Sequence, residues 1–179
     1  MGEISTRGFA LWFTGLSASG KSTLAERVAR SLREAGRRVE VLDGDEVRTH
    51  LCRGLGFTKE GRDTNVRRIG YVAHLLVRNG IVAVAAAISP YRDVRDENRV
   101  LIGEFVEVFG DCPLEECKRR DPKGLYARAA AGQIPQFTGI SDPYEPPLMP
   151  EVVVRTAQET VEESTVRILD AIRIRGYIA

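Results

Sequence analysis

The eight residues Gly15-Leu16-Ser17-Ala18-Ser19-Gly20-Lys21-Ser22 satisfy the spacing G-x-x-x-x-G-K-[ST] in full. Such a stretch can do one kind of chemistry. Its glycines let backbone N–H groups turn inward around a phosphate without a clashing Cβ. The helix that follows directs its positive end at the same anion. Lys21 reaches the β- and γ-phosphates of a nucleotide, the Ser22 hydroxyl ligates magnesium, and Thr23 completes the ATP-binding set. An apolar run precedes the loop and a helical pattern follows it, which is the context the motif needs.

A second candidate group lies at Asp43-Gly44-Asp45, directly after an apolar strand pattern. In an open parallel sheet ligands sit at the carboxyl ends of strands, so both carboxylates are expected to face the γ-phosphate. Asp43 would hold magnesium through water, and Asp45 would accept the proton of an attacking hydroxyl. Asp111, at the end of another strand pattern, is the weaker rival for the metal. No N-K-x-D run is present to read guanine, and the D-x-x-G at Asp121-Pro122-Lys123-Gly124 follows a helical pattern rather than a strand. A small-molecule kinase is the class that remains.

The elements that must position these residues are legible from periodicity. Near-continuous apolar runs at 9–14, 39–42, 81–88, 105–109 and 152–154 predict strands covered on both faces. Helical patterns occupy 21–34, 65–78, about 94–103, 113–120 and about 157–174. The last opens with Thr156 and Glu159 in capping-box spacing and places Val161, Thr165, Ile168 and Ile172 on one face. The alternation predicts an α/β, P-loop NTPase-type, doubly wound and mainly parallel sheet with right-handed crossovers and helices on both faces. Two segments interrupt it. Residues 43–64 are glycine-rich, and 121–150 hold six of the eight prolines. The second, with Tyr126, Phe137, Ile140 and Tyr144, is expected to be a mobile lid on a single kinase domain spanning 1–179.

Bulk properties exclude other classes. A chain of 179 residues can bury a core without staples, and a net charge of +1 provides no basic field for nucleic acid. Three cysteines (Cys52, Cys112, Cys117) are too few for a disulfide framework and predict reduced thiols in the cytoplasm. The longest apolar run is too short to span a bilayer. With Glu3 and no long apolar run before Phe9, no secretory leader is expected. Met1, Gly2 and Thr6 match the loose myristoylation pattern, which we read as coincidence. Arg37, Arg38, Arg173 and Arg175 are read as surface charges.

Across nearly the whole length the chain resembles adenylylsulfate kinases. The resemblance is carried by residues 15–23, by Asp43-Gly44-Asp45 with Arg48, by the stretch from Gly56-Phe57 to Asn65, and by Arg67-Arg68-Ile69-Gly70. It continues through Ile88-Ser89-Pro90-Tyr91-Arg92, Asp121-Pro122-Lys123-Gly124-Leu125-Tyr126, Phe137-Thr138-Gly139-Ile140 and Asp142-Pro143-Tyr144-Glu145. It implies ATP and magnesium as cofactors and adenosine 5′-phosphosulfate as the acceptor, phosphorylated at its 3′-hydroxyl during sulfate assimilation. Phe57 and Phe137 would sandwich the acceptor adenine. Arg48, Arg62, Asn65 and Lys123 would hold its phosphosulfate, and Ile88, Gly124 and Leu125 would complete the site. Ser89 would position the acceptor, the alternative being a phosphoserine intermediate. Ala18 stands where the family often has glycine, a departure expected to cost no function. The resemblance also implies a homodimer, and either a free enzyme or a unit joined to ATP sulfurylase. Two rivals stay open: a nucleotide-sensing kinase-like domain of an ATP sulfurylase, and another small-metabolite kinase.

Overall fold

The computed structural model describes residues 7–179, so Met1, Gly2, Glu3 and Thr6 lie outside the described residues. Among the described residues five strands form the sheet: β1 (Ala10–Thr14), β2 (Val39–Asp43), β3 (Val82–Ala86), β4 (Phe105–Gly110) and β5 (Val152–Val154). Their order is β2-β3-β1-β4-β5 and every pairing is parallel. Seven helices among the described residues connect and cover them: α1 (Lys21–Glu34), α2 (Gly44–His50), α3 (Lys59–Arg78), α4 (Arg92–Ile102), α5 (Leu114–Arg120), α6 (Leu125–Ala130) and α7 (Val161–Ile174).

The strands read as continuous apolar runs because each of their faces meets a separate layer. Phe9, Leu11 and Phe13, with Val82 and Val84, pack on Leu24, Val28 and Leu32 of α1 and on Ile168 and Ile172 of α7. The intervening Ala10 and Trp12, with Ala83 and Ala85, pack on Val66, Ile69 and Ala73 of α3 and on Val94 and Ile102 of α4. Burying each of the larger side chains contributes about 1.5–3 kcal/mol. On the second face α3 and α4 approach so closely that a Cβ on Gly70 would fall 2.0 Å from Asn98 Oδ1. Asn98 in turn donates to Val66 O at 3.1 Å. The sheet is therefore doubly wound. The end of β1 sits where the chain, having laid β2 and β3 on one side, turns to lay β4 and β5 on the other, which is the crevice such sheets use for ligands.

Four expectations need correction. The segment 43–64 is largely helical: α2 lies within it, and α3 begins at Lys59, capped by the Thr58 hydroxyl accepting from Gly61 N–H, rather than at Asn65. The segment 121–150 contains α6. The last helix starts at Val161, and its capping box is Thr160 with Glu163, not Thr156 with Glu159. Both pairs share one spacing, and Thr156 instead donates its hydroxyl to Ser19 O at 3.0 Å. Val161 is 37% exposed, and Ser164 is buried in α7 beside Thr165, Ile168 and Ile172. Arg37 is buried rather than a surface charge, donating to the backbone carbonyls of Arg7 and Tyr177.

Candidate active site

At the end of β1 the backbone turns sharply through Gly15 (φ 148°). A Cβ there would lie 2.8 Å from both Gly110 O and Ser19 Oγ, so only glycine fits between β1 and β4. Ala18 has φ 60°. A side chain in that conformation costs roughly 1–2 kcal/mol relative to glycine. Gly20 (φ 88°) leads into α1, whose first turn has no side-chain cap. Lys21 bends back over the loop to donate to Leu16 O and, at 3.4 Å, to Ser19 Oγ. Burial is the main influence on this ammonium and lowers its pKa to about 8, partly opposed by Asp45 and Asp43. A bound phosphate would oppose the burial more strongly.

Asp43 ends β2 and caps α2, accepting from Asp45 N–H at 2.9 Å and Glu46 N–H at 3.4 Å through Oδ1. Its other oxygen accepts from the Ser22 hydroxyl at 3.1 Å. Two hard oxygen donors are thus side by side next to the phosphate loop, a pair that suits a divalent cation whose other ligands are phosphate and water. Asp45, in the first turn of α2, forms an ion pair with Lys123, which raises the lysine's pKa.

A cavity of about 1000 Å³ joins these groups to the rest of the predicted site. It is lined by Ser17, Ala18, Lys21, Ser22 and Thr23, by Asp43 and Asp45, by Arg48, Phe57, Arg62 and Asn65, and by Ile88, Ser89, Lys123, Leu125 and Phe137. Gly15, Leu16, Ser19 and Gly124 do not line it, and neither does Asp111, the rival for the metal.

At the end away from the loop, Phe57 is half-exposed, with the guanidinium carbons of Arg48 and Arg62 at 4.6 and 5.5 Å from its ring centre. Phe137 is buried edge-on against Tyr126, with ring centres 5.1 Å apart. Arg62 is more constrained than a simple anion holder: it donates to Phe57 O at 2.8 Å and to Gln136 O, and lies 3.6 Å from Asp142. It therefore ties α3 to the segment 121–150. Asn65 is buried, and its Oδ1 has no hydrogen-bond partner among the described residues, so a ligand donor would satisfy it. Ser89 Oγ accepts from Trp12 Nε1 at 3.0 Å and donates to Ala87 O at 3.3 Å. That places its hydroxyl in the framework of the wall.

Several lining residues were not found from the sequence. Arg120, Thr156, Glu159 and Thr160 close the cavity beside Gly20 and Thr23. Arg120 donates to Thr156 O at 2.6 Å, and Thr156 donates to Ser19 O, so these residues are fastened to the phosphate loop itself. The available signal was position: Thr156 follows β5 at its carboxyl end, the side where such sheets bind ligands.

The family model for adenylylsulphate kinase matches residues 7–155. The chain belongs to this family. It is 58% identical over 173 residues to the adenylyl-sulfate kinase of Rippkaea orientalis, covering 97% of this chain and 96% of the relative. The APS kinase CysC of Mycobacterium tuberculosis, solved in complex with AMPPNP and APS, superposes with a TM-score of 0.90 at 43% identity, covering 93% of this chain and 98% of that one. A probable bifunctional SAT/APS kinase of Sorangium cellulosum is 58% identical over 171 residues, which are 96% of this chain and 29% of that protein. Among the described residues no helix is long and apolar enough to cross a membrane.

Proposed function

We propose that this chain is an adenylylsulfate kinase, transferring the γ-phosphoryl group of ATP to the 3′-hydroxyl of adenosine 5′-phosphosulfate. The products are ADP and 3′-phosphoadenosine 5′-phosphosulfate, the activated sulfate of sulfate assimilation. One observation carries the reading: a single cavity joins a complete phosphate loop to a wall bearing Phe57, Arg48, Arg62 and Asn65. Membership of the family supports it.

The donor nucleotide lies along Gly20 to Thr23, with its base toward Arg120, Thr156 and Glu159 and its phosphates over Lys21. Ser22 and Asp43 would hold magnesium, which would supply positive charge against the β- and γ-phosphates. The acceptor adenine stacks on Phe57 and Phe137, and its phosphosulfate meets Arg48, Arg62, Asn65 and Lys123. Aromatic faces suit a purine and planar donors suit a diffuse anion. Asp45 orients or takes the proton of the 3′-hydroxyl, exchanging its partner Lys123 for the substrate, and transfer proceeds in line without a Ser89 intermediate. The segment 121–150 closes as a lid and excludes water that would otherwise hydrolyse ATP.

Residues 7–179 operate as one kinase domain in this reading. Its three buried free cysteines suit a cytoplasmic setting. The homodimer is part of the proposal, and the fused relative from Sorangium supports a working link to ATP sulfurylase. Acceptor-dependent ADP release tests the whole. Addition of adenosine 5′-phosphosulfate should start ADP release, whereas gluconate, shikimate and nucleoside monophosphates should not. Release on one of those instead would make the chain a different kinase. No stimulated release at all would make it a nucleotide sensor.

A further inference from the structure

Arg95 lies on the buried face of α4, outside the cavity. Its side chain is 2% exposed. Nε donates to Glu107 Oε1 at 2.9 Å, and the two terminal nitrogens donate to Ser89 O at 2.5 Å and Glu145 O at 2.7 Å. The three acceptors come from three parts of the fold: strand β4, the cavity wall after β3, and the return end of the segment 121–150. A planar fork of donors can satisfy all three at once, and the compact ammonium of lysine cannot.

Both carbonyl acceptors belong to backbone that needs holding. Ser89 has φ 46°, a left-handed conformation that a non-glycine residue keeps only when its surroundings enforce it. Trp12 holds its side chain and Arg95 holds its carbonyl. Glu145 is clamped in turn, its N–H donating to Pro90 O at 2.8 Å and its carboxylate accepting from Arg92 N–H at 2.9 Å. Next to it the Tyr144 hydroxyl is 3.0 Å from Thr14 Oγ1 at the end of β1. Arg95 is thus the crosspiece between the wall that carries Ser89 and Pro90 and the chain returning from the lid.

We propose that Arg95 is a positioning residue for the acceptor nucleotide, locking the Ser89-Pro90 wall to the return end of the lid so that the acceptor hydroxyl meets the γ-phosphate in register. The inference rests on the kinase reading above and deepens it. A purely scaffolding Arg95–Glu107 pair is the competing account. Glu107 separates the two, because it also pairs with Arg99 at 3.1 Å and touches neither carbonyl.

The test uses the full chain with Arg95→Lys, Arg95→Gln and Glu107→Gln. For each, ADP release is measured with and without adenosine 5′-phosphosulfate, ATP affinity by calorimetry, and folding by thermal melting. Both Arg95 variants should raise KM for the acceptor about 10-fold or more and lower kcat, since a small misplacement of reactants is costly. They should also raise acceptor-independent ADP release relative to the coupled reaction while leaving ATP affinity unchanged. Glu107→Gln should lower the melting temperature without moving the acceptor KM. The proposal falls if acceptor KM and coupling are unchanged in both Arg95 variants, if Glu107→Gln shifts acceptor KM as far as they do, or if neither Arg95 variant folds. Wild-type protein in the same assay reads the kinase assignment separately: its failure to respond to the acceptor overturns that assignment, whereas a responsive wild type with indifferent variants overturns only the role of Arg95.

Discussion

The two ends of the cavity are built in different ways. The phosphate-loop end is built on one strand, one turn and one helix, β1 to α1, with Lys21 and Ser22 in a single contiguous run and Arg120 and Thr156 fastened to it. The opposite end of the cavity is assembled from side chains on α2, on α3 and just before it, on the wall after β3 and on the segment 121–150. It is held by long-range contacts such as Arg62 to Gln136 and Asp45 to Lys123. The first kind of site is set by local geometry and tolerates little change. The second depends on how distant segments meet, so its residues can be altered singly and their effects should separate.

Four experiments test that contrast. Lys21→Ala should cost the most, roughly 10³-fold in turnover on the scale of a lost charge-stabilising donor, with weaker ATP binding as well. Steady-state rates and calorimetry would show an undivided phosphate-loop end if both fall together. Asp45→Asn should lose about 10²-fold in kcat, on general-base magnitudes, while ATP affinity stays intact. Unchanged turnover would remove Asp45 from the chemistry. Phe57→Ala should raise acceptor KM by about 10-fold, consistent with base stacking worth roughly 1–3 kcal/mol, and leave ATP binding alone. Its half-exposed ring makes a folding defect a poor explanation of that result.

The smallest effect is in pH. Lys21 has its pKa lowered to about 8 by burial, and a bound triphosphate must raise it again. The nucleotide therefore prefers the protonated lysine. Binding takes up protons above pH 8, so ATP affinity should hold below that value and decline above it. Calorimetric titrations in buffers of different ionisation enthalpy would detect the uptake. A flat profile through pH 9 would show that Lys21 stays charged in the free protein.

The contrast also explains what the sequence could and could not tell. The strands and α1 were legible because their signal is local: apolar runs covered on both faces, and a motif whose glycines answer to Gly15 and Gly20. Helix α2 was hidden because its cap, Asp43, sits in a glycine-bearing run that also reads as a turn. Helix α6 follows Gly124 in a left-handed conformation, inside a proline-rich stretch too short for periodicity to speak. The choice between Thr156 and Thr160 as the final cap needed the contact between Thr156 and Ser19, which are 137 positions apart. Arg37 and Arg95 had the composition of surface residues, and only tertiary packing reveals their carbonyl partners. Phe57, Arg62 and Lys123 were named through family resemblance, and no spacing rule would have joined them.

One buried contact has a practical use. Trp12 is the sole tryptophan in the chain, fully enclosed beneath the sheet, and its indole N–H ends on Ser89 at the wall of the reaction chamber. Its fluorescence is therefore an optical gauge wired to that wall. Arrival of the second nucleotide at that wall should alter the emission of the native molecule, a change that stopped-flow fluorescence would time without any label.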